Sequence, residues 1–305
     1  MVTQATPWWR QQIVTLVLLL IVVAVLVWAL VAGIGVVPGV QPMSTLKGAI
    51  LVVVGFCAGV LGGLIGTGGC SLMLPAIHFW MGYPTAIAIG TTLFAVIFTA
   101  VSGGYGHLVR RNVDVRTFGW LTAGGIIGVL LGSWLFTLLS AQASLLGLIL
   151  GLVFLWPAIR MIYEGVAQRA APSGSQGPAI SGPAWGLGVF GLVVGIMTGV
   201  AGLGGGYALV PGLLYLFGAP VYITMGTSLA TMIPLAAVGG GIKLAQGFVD
   251  LAAGLLLAAG TIVGAQVGAA VIKRFKPATL KLIFGVYFLY VAAKFITGFF
   301  GIQIF

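Results

Sequence analysis

Apolar residues run through this chain in long blocks separated by short polar gaps. Eleven blocks read as helices, near 13–35, 48–65, 70–82, 85–106, 116–138, 143–163, 184–202, 206–218, 222–245, 250–271 and 279–300. A helix needs about 20 apolar residues to cross the hydrocarbon core of a bilayer. Most blocks reach that length, whereas 70–82 and 206–218 fall short and either cross or turn back. The first run, Ile13 to Ala32, lasts as long as a span and is read as a retained helix, not a cleaved signal peptide. From Glu164 to Pro183 the chain is rich in Pro, Gly and Ser, which marks a linker.

The blocks also repeat. Shifted by 136 residues, Gly55–Gly132 matches Gly191–Gly268 at 26 positions without a gap. The matches are mainly glycines and prolines: Gly66, Gly68 and Gly69 fall on Gly202, Gly204 and Gly205, Pro75 on Pro211, and Pro84 on Pro220. Backbone geometry is therefore the shared property. Further on, Gly90, Thr91 and Leu93 fall on Gly226, Thr227 and Leu229, and Val113-Asp114 falls on Val249-Asp250. The chain divides into an N-terminal helix and loop (1–47), a first repeat (48–163), a cytoplasmic linker (164–183) and a second repeat (184–305).

Composition then settles the solvent. Hydrophobic residues make up 60% of the chain and charged ones 5%, against roughly 25% charged in a soluble domain, so no water-exposed surface can be built. The net charge of +10, from 13 Lys and Arg against three acids, would suggest nucleic acid if the bases were spread over a face. Nine of the 13 sit instead in or beside three gaps: Arg110, Arg111 and Arg116, then Arg160 and Arg169, then Lys273, Arg274, Lys276 and Lys281. Such gaps face the cytoplasm. With the amino terminus and Arg10 also inside, threading the helices satisfies all three, whether or not the short blocks cross. Each repeat then makes an odd number of crossings, so the second enters from the opposite face. The expected fold is an all-α, multi-pass protein of the inner (cytoplasmic) membrane. It has about 9–11 membrane helices in two inverted-topology repeats with short, Gly-broken helices, as in secondary transporters.

Several residues carry candidate chemistry. Gly66-Thr67-Gly68-Gly69 and Gly202-Leu203-Gly204-Gly205-Gly206 each separate a long block from a short one. A sharp turn there frees amide N–H groups at the start of the short helix, and within a bilayer these need a partner. An anion suits them, because that end of a helix is electropositive; close helix packing is the other use of the same glycines. Thr91-Thr92 and Thr227-Ser228 offer hydroxyl donors to an oxyanion, or bond back to their own helices. His107 falls on Lys243, which gives each half a basic group at an equivalent place. Lys243 is the sharper of the two, since an intramembrane lysine is costly without a task, although snorkelling to the interface also accommodates it. His78 is a proton carrier or a packed side chain. Asp114 and Asp250 are candidates for proton coupling, with capping of the next helix the favoured role. Cys57 and Cys70 lack metal or redox spacing and are read as buried, inert thiols. No metal or cofactor is expected.

The run G-x-x-x-G-x-x-G-G-x-x-G-x-G-G from Gly55 to Gly69, followed by Pro75, Gly90-Thr91-Thr92-Leu93, His107 and Val113-Asp114, resembles the sulfite exporter TauE/SafE family. The second half repeats the pattern as Gly199, Gly202 to Gly206, Pro211, Gly226-Thr227-Ser228-Leu229 and Val249-Asp250, so the resemblance covers about residues 48–300. Cys70 departs from it, standing where the second half has Gly206. The resemblance implies a carrier of sulfite, thiosulfate or an organosulfonate, coupled to protons or another ion. The anion would bind between the repeats near the Gly-rich breaks, with alternating access. An anion channel or uncoupled facilitator is the alternative, although few charges are present to line a continuous pore. An enzyme would want a nucleophile and base or a metal cluster, and the chain has no H-E-x-x-H motif and no paired intramembrane acids. The expected partners are the anion, the coupling ion and the bilayer, without nucleic acid; a homo-oligomer is left open.

Overall fold

A computed structural model describes residues 8–32, 37, 40, 42–109, 111–166, 180–271 and 277–302. Those residues form eleven α-helices and no strand: α1 (Trp8–Val31), α2 (Thr45–Ile65), α3 (Cys70–Pro75, continued by a π-helical turn Ala76–Trp80), α4 (Thr85–Val109), α5 (Val115–Leu139), α6 (Ala143–Val166), α7 (Ala184–Ala201), α8 (Gly206–Tyr215), α9 (Val221–Ala245), α10 (Leu251–Val271) and α11 (Pro277–Phe299). Among the described residues, eight helices are long and apolar enough to cross a membrane. The two short helices end at Trp80 and Tyr215, earlier than the apolar pattern suggests. Gly82 and Gly218 follow at φ +70° and +59°, which turn the chain out of the helix. Most of the linker lies outside the described residues, as do Arg110, Arg169, Lys273, Arg274 and Lys276; α6 itself continues through Glu164 to Val166.

Glycines decide which helices touch. In lipid, helices gain nothing from hiding apolar side chains from one another, so association rests on close backbone packing. On α2, a Cβ added at Gly55, Gly59 or Gly63 would stand 2.3, 2.5 or 2.4 Å from the carbonyl oxygens of Leu257, Thr261 or Ala265 on α10. The partner positions rise together, so α2 and α10 run parallel. The same contact recurs 136 residues away, where Gly191 and Gly195 of α7 press on the carbonyls of Leu121 and Gly125 on α5. Each repeat thus packs its leading helix on the penultimate helix of the other. The central pair α4 and α9 are repeat equivalents and run antiparallel, with Gly103 against Leu229 and Gly239 against Leu93. So do α6 and α11, with Gly151 against Ile296 and Gly285 against Ile162.

The helix α1 has no counterpart in the second repeat. It rests on α10 and α4 and leaves Leu16, Leu20 and Val31 exposed. Cys57 corrects one expectation. It is exposed on α2, because the buried face of that helix is the glycine face four residues apart, while Cys70 is buried as expected.

Candidate functional site

Both Gly-rich breaks come to the centre of the molecule and face each other. The first begins where Gly66 (φ +81°) closes α2 and the second where Gly202 (φ +67°) closes α7. Gly69 and Gly205, at φ +76° and +84°, then start α3 and α8. Between the breaks stand Val96 of α4 and Met232 of α9, themselves equivalents at a shift of 136. A Cβ on Gly68 would lie 2.4 Å from the Met232 methyl and 3.5 Å from Val96, and one on Gly204 would lie 2.9 Å from each. Thr67 and Gly206 touch backbone to backbone, and the Cys70 thiol donates to the Leu203 carbonyl across the junction. Cys70 therefore bridges the two breaks where the second half has only a glycine hydrogen.

All of these glycines are buried. Among the described residues, the amides of Gly68, Gly69, Gly204 and Gly205 donate to no protein acceptor. Buried amides are nearly always paired, and two facing sets without acceptors suit an anionic ligand. Tyr207, missed in the sequence, opens α8 beside Gly206. It is 5% exposed, and its hydroxyl has no partner. Its only sequence signal was its place directly after the Gly run.

Lys243 is fully buried. Its ammonium donates to the Gly199 carbonyl at 2.5 Å and lies 4.1 Å from the centre of the Phe136 ring. This places it among α5, α7 and α9, three residues before the second break, rather than snorkelling. The Ser133 hydroxyl nearby is buried without a partner. His107, its equivalent, is only half-buried and lies against Gly226.

The hydroxyl pairs separate. Thr91 accepts from the Asp250 amide at 2.9 Å, and Thr227 accepts from the Asp114 amide at 3.0 Å, so each ties its helix to the start of an α5-type helix in the other repeat. Thr92 bonds back to the carbonyls of Ala88 and Ile89. Ser228 alone reaches a break, donating to the Gly66 carbonyl at 3.5 Å. Asp114 caps α5, accepting from the Arg116 amide, the Thr117 hydroxyl and the Ile180 amide. Burial would raise its carboxyl, but these donors hold it below its ordinary value. Asp250 caps α10 through the Ala253 amide at 2.9 Å and accepts the Tyr83 hydroxyl at 2.8 Å. The ammonium of Lys47 lies 4.6 Å from the centre of the Tyr83 ring. His78 donates through Nδ1 to the Tyr83 carbonyl at 2.7 Å and stacks on Phe295. Asp114, Asp250 and His78 are thus engaged away from the breaks. Among the described residues no group of three metal-ligating side chains occurs.

Comparison with protein families matches residues 50–295 to "Sulfite exporter TauE/SafE". The chain belongs to the sulfite exporter TauE/SafE family. Similar proteins include the probable membrane transporter YdhB of Bacillus subtilis, 28% identical over 72% of this chain and 88% of that protein. YunE of the same species, also a probable membrane transporter, is 26% identical over 77% of this chain and 92% of its own. The probable membrane transporter MJ0441 of Methanocaldococcus jannaschii is 25% identical over 77% and 90%. No solved structure matches the chain. A TauE/SafE protein is a membrane transporter, and nothing in this one points to catalysis.

Proposed function

We propose that this TauE/SafE protein is a secondary transporter of a small sulfur-containing anion such as sulfite, thiosulfate or an organosulfonate. The anion binds where the two Gly-rich breaks face each other. One observation carries the reading: four buried amides, on Gly68, Gly69, Gly204 and Gly205, that have no acceptor in the protein. Tyr207, two residues after Gly205, adds an unpartnered hydroxyl, and Lys243 adds a cation held on the carbonyl of Gly199, three residues before the second break. The amide donors discriminate by charge and oxygen geometry.

The breaks touch each other, so the site opens only if α3 and α8 move apart. Alternating access by rocking one repeat against the other does this. The antiparallel running of α4 against α9 and of α6 against α11 supports two repeats of inverted topology, and the basic gaps in the sequence support an amino terminus on the inner side of a cytoplasmic membrane. Thr91 and Thr227, as acceptors for Asp250 and Asp114, serve as latches between the repeats rather than as ligands of the anion. Proton coupling falls to the few titratable groups inside the bilayer, His78 and Lys243 foremost.

Uptake of radiolabelled sulfite, thiosulfate and sulfonates into proteoliposomes, with and without an imposed proton gradient, tests the reading. Saturable, gradient-driven flux is expected. Tyr207→Phe should raise KM roughly three- to tenfold, the loss of one hydrogen bond, with thermal stability unchanged. Lys243→Met should lower flux at least about tenfold. Absence of flux with every sulfur anion removes the substrate class, and unsaturable flux favours a channel.

A further inference from the structure

The two halves differ on their lipid-facing flanks. Between α6, α7 and α8 lies an open groove of about 450 Å³, walled by Leu152, Trp156, Phe190, Val193, Pro211 and Leu216. At the equivalent place between α11, α2 and α3, the protein fills its own space. Phe288 stands at the position of Leu152, Phe79 at that of Tyr215 and Phe295 at that of Ile159. Phe79 and Phe295 pack with ring centres 4.7 Å apart, and His78 stacks on Phe295. Phe295 is 3% exposed where Ile159 is 57% exposed. One flank is closed by aromatic rings and the other is left for something else to cover.

The mouth of the groove carries an ion pair, whereas the closed flank has the ammonium of Lys294 at 4.9 Å from the centre of the Phe79 ring. Arg160, replaced by Ile296 in the other half, donates through Nε to Glu164 at 3.1 Å and stacks 3.6 Å from the centre of the Tyr215 ring. Arg160 lies six residues before the end of α6, toward a membrane interface. Its side chain keeps 35% of its surface exposed while that of Glu164 keeps 11%.

We propose that the groove binds one membrane phospholipid with a phosphoethanolamine headgroup, its acyl chain along the apolar wall and its phosphate on Arg160. The wall has Leu152, Trp156 and Leu216 more than half exposed, so its occupant is hydrocarbon. A guanidinium presents several N–H groups in one plane and suits a phosphate oxygen pair. Glu164, fixed beside it, turns the mouth into a plus–minus pair. A headgroup carrying both phosphate and ammonium matches that pair, whereas a net-anionic headgroup meets the carboxylate's repulsion.

Native mass spectrometry of the detergent-purified protein, offered equal amounts of phosphatidylethanolamine and phosphatidylglycerol, tests this. One phosphatidylethanolamine per chain is expected to persist, favoured over phosphatidylglycerol by at least about fivefold. Arg160→Gln should erase that preference. Val193→Trp, at a half-exposed wall position, should fill the groove and displace the lipid of either headgroup; Leu152→Phe, which copies the aromatic of the closed flank, should do the same if Val193→Trp melts early. Equal retention of the two lipids, or retention unchanged by the wall substitutions, overturns the proposal. Sulfur-anion flux has no part in the readout, so the result stands apart from the transport reading.

Discussion

Asp114 and Asp250 were readable in the sequence as helix caps, since each precedes a long apolar block at a matching place. Their threonine partners were not, because a contact between Thr91 and Asp250 joins residues far apart in the chain and leaves no local signature. Lys243 was legible as an anomaly, an isolated lysine in apolar sequence. Its Gly199 acceptor was not, because it lies on a different helix. The Asp114 carboxyl gives a pH test at this scale. Its folded pKa lies below the ordinary 3.8, so its stabilisation is complete above that value and is lost as the pH falls through the folded pKa. The parent should therefore melt higher than Asp114→Asn at neutral pH. The difference should shrink only below about pH 4, and a gap that is constant down to pH 3 would sink the assignment. The melting curves of both proteins against pH, in one detergent, are the measurement.

Helices were the most legible elements, and each of the eleven lies within a few residues of its apolar block. Their pairing was hidden. Glycines four residues apart announce that a backbone will approach one face of a helix, without saying whose backbone it is. The repeat helps only afterwards: once α2 is seen against α10, the shift of 136 residues requires α7 against α5. The glycine contacts should therefore be costly to fill. A Cβ at Gly195 would lie 2.2 Å from the Gly125 carbonyl, whereas one at Gly119 meets nothing within 4 Å. Gly195→Val should destabilise by about 1–3 kcal/mol or more through overpacking. Gly119→Val on the neighbouring α5 should change the melting temperature little, and similar losses in both would mean that α5 and α7 do not meet as described.

For the molecule as a whole, charge placement and helix count implied two halves of opposite orientation, and the antiparallel α4 and α9 fit that arrangement. Arg111 and Gln246 occupy nearly equivalent turns of the two repeats and are both exposed. In a Cys57→Ser background, an impermeant maleimide should reach Arg111→Cys from one face of the membrane and Gln246→Cys from the other; labelling of both from one face would remove the inverted arrangement. The asymmetries were readable only in part: Cys70 stood out against Gly206, but its bridge to the other break did not. The aromatic fill of one flank and the bridging Cys70 each depend on side chains that the matched glycines and prolines say nothing about. The exchanged pairing of leading and penultimate helices bears also on how the protein is made. α2 ends at Ile65 and α10 begins at Leu251, so the backbone-exposing face of α2 leaves the ribosome long before its mate exists. Until then lipid or an insertion chaperone must shelter it. Synthesis slowed or truncated after the linker would leave that face bare, and newly made first halves would pair with one another or be degraded.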